Sequence, residues 1–366
     1  MRSITFRLFF LFLIFCVPAF SQEVRPIVLG APIEREIKGG ETHSFAVEIG
    51  AGQTARVEIE QKGVDVALSA FSLDGKQFLT SESPSGVLGS DLILVTATDS
   101  GTYRVNVMPS DPRAALGKYV IKLAEIRSTT SEDIAINEAS LKITKVADEA
   151  TVLRQNGTRD GRRKAIEKFQ EVIELSRIKK DKIWEVVALI TTGLLYEQLG
   201  EIQRSLDFYL SGLALAREVG SRQYQGSAIN NLAVGYLTLG EYETSVSYLT
   251  QALTLQTESG NRRGQGVVFN NLGTAYLMLG ALPRSEEFYR QALLVRREVK
   301  DERGEGFALN NLGQLFLQSG DQSQAREFLE QALTLRKRIS DKQGEAVTLR
   351  NLGKLAFKNS NYSEAS

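Results

Sequence analysis

The chain has 366 residues, 42% of them hydrophobic and 24% charged, with 44 lysines and arginines against 44 aspartates and glutamates. These are globular proportions, and the balanced charge supplies no overall field that would draw nucleic acid or an anionic membrane. One histidine and one cysteine exclude multi-histidine metal sites and the HExxH arrangement.

Residues 1–22 read as a secretory signal peptide. Arg2 and Arg7 make a short basic start, residues 8–17 are an unbroken apolar run, and Ala19-Phe20-Ser21 has the small-x-small form of a cleavage site. The run is too short to span a bilayer comfortably. The residue before Cys16 is Phe15, where lipid attachment would require a small one. The mature protein is therefore expected in the periplasm or outside the cell, with no membrane insertion after cleavage. It would hold no cysteine, so its stability must come from packing rather than disulfides.

Residues 23–127 are predicted to form an all-β domain. Phe45, Val47 and Ile49 alternate with Ala46 and Glu48, Val57 and Ile59 with Glu58 and Glu60, and Tyr103, Val105 and Val107 with Arg104 and Asn106. Tyr119 and Ile121 alternate with Val120 and Lys122. A period of two places one set on a buried face and the other in water. Turn signals at Gly39-Gly40, Gly50-Ala51-Gly52, Asp74-Gly75, Ser85-Gly86 and Ser100-Gly101 separate the runs. Seven or eight short strands at this spacing predict an antiparallel sandwich.

Residues 128–366 are predicted to be an all-α solenoid with a 40-residue repeat. Asn230-Asn231-Leu232-Ala233 recurs as Asn270-Asn271-Leu272-Gly273, as Asn310-Asn311-Leu312-Gly313 and as Arg350-Asn351-Leu352-Gly353. An aromatic follows at Tyr196, Tyr236, Tyr276 and Phe316, and Gly200, Gly240, Gly280 and Gly320 close the first helix of each unit. Asp181, Ser221, Asn261, Asp301 and Asp341 stand in one register as N-caps. In the second helix, small residues at Ala165, Ser205, Ser245, Ser285 and Ala325 are followed four later by Phe169, Tyr209, Leu249, Tyr289 and Leu329. Small residues return at Gly212, Ala252, Ala292 and Ala332. A helical glycine costs roughly 1 kcal/mol against alanine, so Gly193, Gly273, Gly313 and Gly353 imply close helix approach. The chain stops mid-unit at Ser366, and we expect it to be part of a longer protein.

Leu272, Gly273, Tyr276, Ser285, Tyr289 and Ala292 resemble the tetratricopeptide signature position by position. That family's usual unit is about 34 residues; the longer unit here is similar to the class found in kinesin light chains. The match weakens at Asn156-Gly157, so the first unit is expected to be degenerate or a cap. The β-domain, with Gly39-Gly40-Glu41-Thr42-His43-Ser44 and Ser100-Gly101-Thr102-Tyr103-Arg104-Val105, resembles the sandwich of bacterial pre-peptidase C-terminal type. Sandwich plus repeats is similar to the front part of bacterial proteins ending in a CHAT domain, a caspase-like peptidase.

The tetratricopeptide resemblance implies that first helices line a concave groove, with Asn231, Asn271, Asn311 and Asn351 pointing into it. These, with Asn230, Asn270, Asn310, Thr274, Gln314 and Lys354, are the candidate peptide-binding residues. Ser227, Val267, Phe307 and Val347, then Thr238, Met278, Gln318 and Lys358, extend the face. An amide carries donors and an acceptor, so it can pair with the backbone of an extended peptide whatever its sequence. The alternative is that these asparagines only bond to neighbouring units.

Catalytic patterns are missing. No Walker A or nucleophile-elbow motif occurs, and Gly264-Gln265-Gly266 and Gly304-Glu305-Gly306 read as repeat turns rather than phosphate loops. His43 reads as an exposed strand-entry residue. Asp65, Asp74, Asp91 and Asp99 have no calcium-loop spacing, and no cofactor or metal is expected. The chain is expected to be a non-enzymatic scaffold for a protein or peptide ligand. The alternatives are the sensing part of a CHAT-type peptidase, or polymer or carbohydrate binding through the β-domain.

Overall fold

A computed structural model of the chain describes residues 24–81 and 89–365, with side chains through 357. Residues 1–22, expected to be a signal peptide, the turn expected at Ser85-Gly86 and the side chain of Lys358 lie outside the described residues. Two compact units meet in sequence between Thr130 and Ser131.

The first unit is a β-sandwich. Its described strands are β1 (Val24–Pro26), β2 (Pro32–Ile37), β3 (His43–Ile49), β4 (Gln53–Lys62), β5 (Val66–Phe71), β6 (Gln77–Ser81), β7 (Ser90–Thr96), β8 (Gly101–Pro109) and β9 (Gly117–Ser128). One sheet runs β1-β3-β8-β5-β6 and the other β2-β9-β4-β7. The alternating residues meet between the sheets: Phe45, Val47, Val57, Ile59, Val105, Val107, Tyr119 and Ile121 belong to one buried cluster. Each sheet has one apolar face, and packing the two against each other covers both.

Two expectations need correction. The sandwich is not wholly antiparallel, since β1 pairs parallel with β3 from Val24↔Ser44 to Pro26↔Ala46. A three-residue strand carries too little alternation to be seen in sequence. His43 is half-buried rather than exposed, and its Nδ1 lies 2.6 Å from the hydroxyl of Tyr119. Burial holds the Tyr119 phenol well above its ordinary range, so it stays protonated and shares this hydrogen bond with the imidazole. Desolvation, followed by the charge of Arg35, lowers the His43 pKa and keeps the ring neutral.

The second unit contains α1 (Ser131–Gln155), α2 (Arg159–Lys179), α3 (Lys182–Gln198), α4 (Ile202–Glu218), α5 (Arg222–Leu239), α6 (Tyr242–Glu258), α7 (Arg262–Met278), α8 (Leu282–Glu298), α9 (Glu302–Ser319), α10 (Gln322–Arg338) and α11 (Lys342–Ala365). Odd and even helices pair as the first and second helices of successive units. The five expected caps all act: Asp181, Ser221, Asn261, Asp301 and Asp341 accept from the backbone N–H three residues on. Gly200, Gly240, Gly280 and Gly320 adopt positive φ between 74° and 89°, the left-handed turn that ends a helix without a Cβ clash.

Within each pair the helices close on the small residues. A Cβ at Gly273 would lie 2.5 Å from the Tyr289 ring, and one at Gly313 2.6 Å from Leu329 Cγ. Ser285 Oγ donates to the carbonyl of Gly273 at 2.7 Å, and Ser245 Oγ to that of Ala233 at 2.8 Å. Trp184 packs against the cluster formed by Ala165, Phe169 and Leu189. Among the described residues no helix is long and apolar enough to cross a membrane.

Candidate functional site

The repeat brings one face of every first helix onto a common surface. First helices of successive units, α3, α5, α7, α9 and α11, touch one another directly, whereas successive second helices approach less. Helices that crowd together line the inside of a curve, so the odd-numbered helices form the inner face.

Hydrogen bonds between asparagines cross that face. Asn271 Nδ2 donates to Asn230 Oδ1 at 2.9 Å, Asn311 Nδ2 to Asn270 Oδ1 at 2.9 Å, and Asn351 Nδ2 to Asn310 Oδ1 at 3.1 Å. Asn230 Nδ2 in turn donates to Asn231 Oδ1 at 3.2 Å. In the α7 and α9 units the two adjacent asparagines therefore work differently: the second, Asn271 or Asn311, donates backward, and the first, Asn270 or Asn310, accepts from the unit that follows. Asn230, Asn310 and Asn351 are buried, while Asn231, Asn270, Asn271 and Asn311 remain half-buried. Among the described residues the side-chain oxygens of Asn271 and Asn311 accept no hydrogen bond, so each half-buried amide keeps an acceptor without a protein donor.

The other candidates fall around this ladder. Thr274 is half-buried, donating to the Asn270 carbonyl at 3.1 Å and lying 3.1 Å from the Tyr289 hydroxyl. Gln314 and Lys354 are exposed. Phe307 and Met278, large apolar side chains on this face, are 47% and 53% exposed.

The glycine pairs have a role that their sequence does not announce. Gly264 and Gly266 lie in the first turns of α7, and Gly304 and Gly306 in those of α9. They make room for a buried polar side chain from the second helix before or after them. Cβ atoms at Gly226 and Gly264 would meet Gln256, those at Gly266 and Gly304 would meet Arg296, and those at Gly306 and Gly344 would meet Arg336. Where the second-helix residue is instead Ser176 or Ala216, the corresponding first-helix positions carry Trp184 and Tyr224. Large faces small in every case, as close packing requires. The signal was present in the sequence as a column at 40-residue spacing, but it needs the tertiary pairing to be read.

Arg336 is 1% exposed. Its Nη1 donates to the Gly344 carbonyl and, at 2.8 Å, to Thr348 Oγ1, while its guanidinium lies 5.2 Å from the Phe307 ring centroid. Desolvation lowers its pKa; Asp341 opposes this and the neighbouring Arg303 adds to it. The aromatic stacks formed by Tyr196 with Phe208, Tyr236 with Tyr248, Tyr276 with Phe288 and Phe316 with Phe328 also went unread, because their second members have no capping or small-residue signature.

The aspartates of the β-unit are used locally. Asp74 accepts from Ser72 Oγ and from the N–H of Lys76 at 3.1 Å, and Asp91 accepts from Ser81 Oγ at 3.1 Å and Leu92 N–H at 2.7 Å. Among the described residues no three His, Cys, Asp or Glu side chains come together as a metal site would need.

Residues 224–298 and 267–338 match the tetratricopeptide repeat family, so the chain contains tetratricopeptide repeats. Similar solved structures include BtubC (BKLC) from P. vanneervenii, with 21% identity over 58% of this chain and 93% of that one, at a TM-score of 0.44. Aspartyl phosphate phosphatase F from Bacillus subtilis is 14% identical over 64% of this chain and 62% of that one, at a TM-score of 0.50. A Rap protein complexed with Competence and Sporulation Factor is 13% identical over 59% of this chain and 58% of that one, also at 0.50. These likenesses are of fold. No curated protein matches the sequence.

Proposed function

We propose that the repeat array is a non-catalytic scaffold that holds an extended segment of a partner protein along its inner face, in an exported protein acting in the periplasm or outside the cell. The observation that supports the groove reading is the asparagine ladder. Bonding between units consumes one N–H of Asn271 and of Asn311 and leaves an amide oxygen and a second N–H on each. Spaced from unit to unit, these groups suit the alternating N–H and C=O of an extended backbone, which needs no particular side chains to be held. The ladder thus fixes the amides in place and leaves them competent to bind, so the structural and ligand-binding roles coexist. Export rests on the sequence of residues 1–22.

The experiment is selection of random displayed peptides on the full-length chain, repeated with Asn271→Ala combined with Asn311→Ala. We expect peptides that bind the wild type and lose at least about tenfold in affinity in the variant. The variant should unfold cooperatively, with a loss of about 1 kcal/mol for each ladder hydrogen bond. Peptides bound equally by both proteins would remove the ladder from the binding site, and recovery of no peptide would remove the groove reading altogether.

A further inference from the structure

The sequence holds one histidine, His43, and the β-unit sets it among positive charges. β1 and β2 are the end strands of the two sheets on the same side of the sandwich. His43 of β3, next to β1, meets Tyr119 of β9, next to β2, while β5 and β6 meet β7 toward the other side. Each of these end strands carries an arginine on its inward face. Arg25 stands opposite Phe45 and Arg35 opposite Tyr119, and both partners belong to the buried cluster between the sheets. Residues opposite each other in register share a face. The open side of the sandwich therefore receives one arginine from each sheet.

Arg35 is half-buried, and among the described residues its guanidinium makes no hydrogen bond or ion pair. Glu34 and Glu36, beside it in sequence, are exposed on the outward face of β2, where they pair with Lys62 and Lys118. Both Arg25 and Arg35 act electrostatically on His43 and on Tyr119. The carboxylate that acts on His43 is that of Glu41, which accepts from the Lys38 N–H at 3.1 Å and lies 3.7 Å from Lys38 Nζ. His43 Nδ1 is engaged by the Tyr119 hydroxyl, and Nε2 has no hydrogen-bond partner among the described residues. An inward charge on an edge strand also repels an added strand. Half-burying a cation without a counter-charge is nonetheless unfavourable, and an anion between the sheets would remove that cost.

We propose that the β1–β2 side of the sandwich binds a small tetrahedral oxyanion, phosphate or sulfate, held by Arg25 and Arg35 from the two sheets and by the Nε2–H of His43. The two sheets pack about 10 Å apart. A tetrahedral group turns oxygens toward both at once, whereas a planar carboxylate matches a single guanidinium fork. With the anion bound, the Tyr119 hydroxyl donates to Nδ1 and leaves the imidazole proton on Nε2. The site lies within the β-unit and asks nothing of the repeat array.

The test is NMR of the full-length chain carrying isotope-labelled histidine, whose single imidazole reports on this site alone. It is titrated at constant ionic strength with sulfate, inorganic phosphate, methyl phosphate and acetate. Sulfate and phosphate should move the signal saturably, with acetate at least about tenfold weaker. Methyl phosphate binding as tightly as phosphate would assign the end of a soluble ester, and weaker binding the free ion. Sulfate should raise the His43 titration midpoint, which burial and then Arg35 hold down, and by linkage its affinity should rise as pH falls through that midpoint. Arg35→Gln should cost at least about tenfold in affinity, and Arg35→Lys less, because it keeps the charge and loses the fork. Lys76→Gln, which removes an exposed charge from the β5–β6 turn, should change nothing. Absence of a saturable shift in the wild type would overturn the proposal, whether or not any variant folds. Acetate binding as tightly as sulfate, or an affinity that Arg35→Gln leaves intact, would overturn it too.

Discussion

Glu197 and Tyr209 show how one residue's environment can set a pH response. The Tyr209 ring fills the space beside Gly193, and its hydroxyl donates to Glu197 Oε2 at 2.9 Å. Burial raises the Glu197 pKa above its ordinary 4.5, and the Tyr209 hydrogen bond opposes this only in part. The native state therefore holds a proton that the unfolded chain has released. Its contribution to stability is complete below the unfolded value and is lost as pH rises through the raised folded value. Glu197→Gln keeps an acceptor for Tyr209 and removes the charge. Denaturation midpoints measured from pH 4 to 7 should fall for the wild type relative to the variant; parallel curves would show that Glu197 is not the group responsible. None of this was legible in sequence, where Glu197 is an ordinary helical glutamate. His43 is a similar case, since its lowered pKa comes from burial and then from the charge of Arg35 on another strand.

Between helices, stability depends on fit across a pair rather than on propensity. Gly304 occupies a helix, where alanine would ordinarily gain about 1 kcal/mol. A Cβ there would stand 2.5 Å from Arg296 Cδ and 2.6 Å from Asp301 Oδ2, and Arg296 cannot swing aside without leaving Asp301. Gly304→Ala should therefore destabilise the array despite its better propensity. Arg296→Ala should cost stability alone but make Gly304→Ala harmless or favourable. A double-mutant cycle in urea should give a coupling of about 1–2 kcal/mol, whereas additive effects would mean that the two residues do not share space. The five capping residues and the glycine helix ends were visible beforehand, because capping is local and repeats in register. The glycine cradles were not, because their partner lies on another helix.

Over the molecule as a whole, the array is quasi-one-dimensional, each unit borrowing its core from its neighbours. Charge pairs 36 residues apart join the start of each first helix to the end of its second: Lys182 to Glu218, Arg222 to Glu258, Arg262 to Glu298, and in reversed sense Glu302 to Arg338. Each is exposed and contributes at most about 1 kcal/mol, so the apolar contacts dominate. Leu312 is fully buried in the cluster shared by α7 to α11. Leu312→Ala should cost about 2–5 kcal/mol and should speed amide hydrogen exchange in α7 to α11 while leaving α3 and α4 protected. Equal acceleration across all helices would indicate a single cooperative block instead.

The sequence by itself determined the β-sandwich followed by helix pairs, the helix ends and the small-against-large contacts inside each pair. Those features follow from period, capping chemistry and side-chain volume, which are local or recur at a fixed spacing. Only the tertiary structure decided how the two asparagines of a unit divide their work. The same holds for the parallel pairing of β1, the glycine cradles around Gln256, Arg296 and Arg336, and the placing of Phe307 over a buried cation. Each depends on which atom of one unit meets which atom of another, and a repeat pattern gives the identity of the columns without the direction in which their side chains reach.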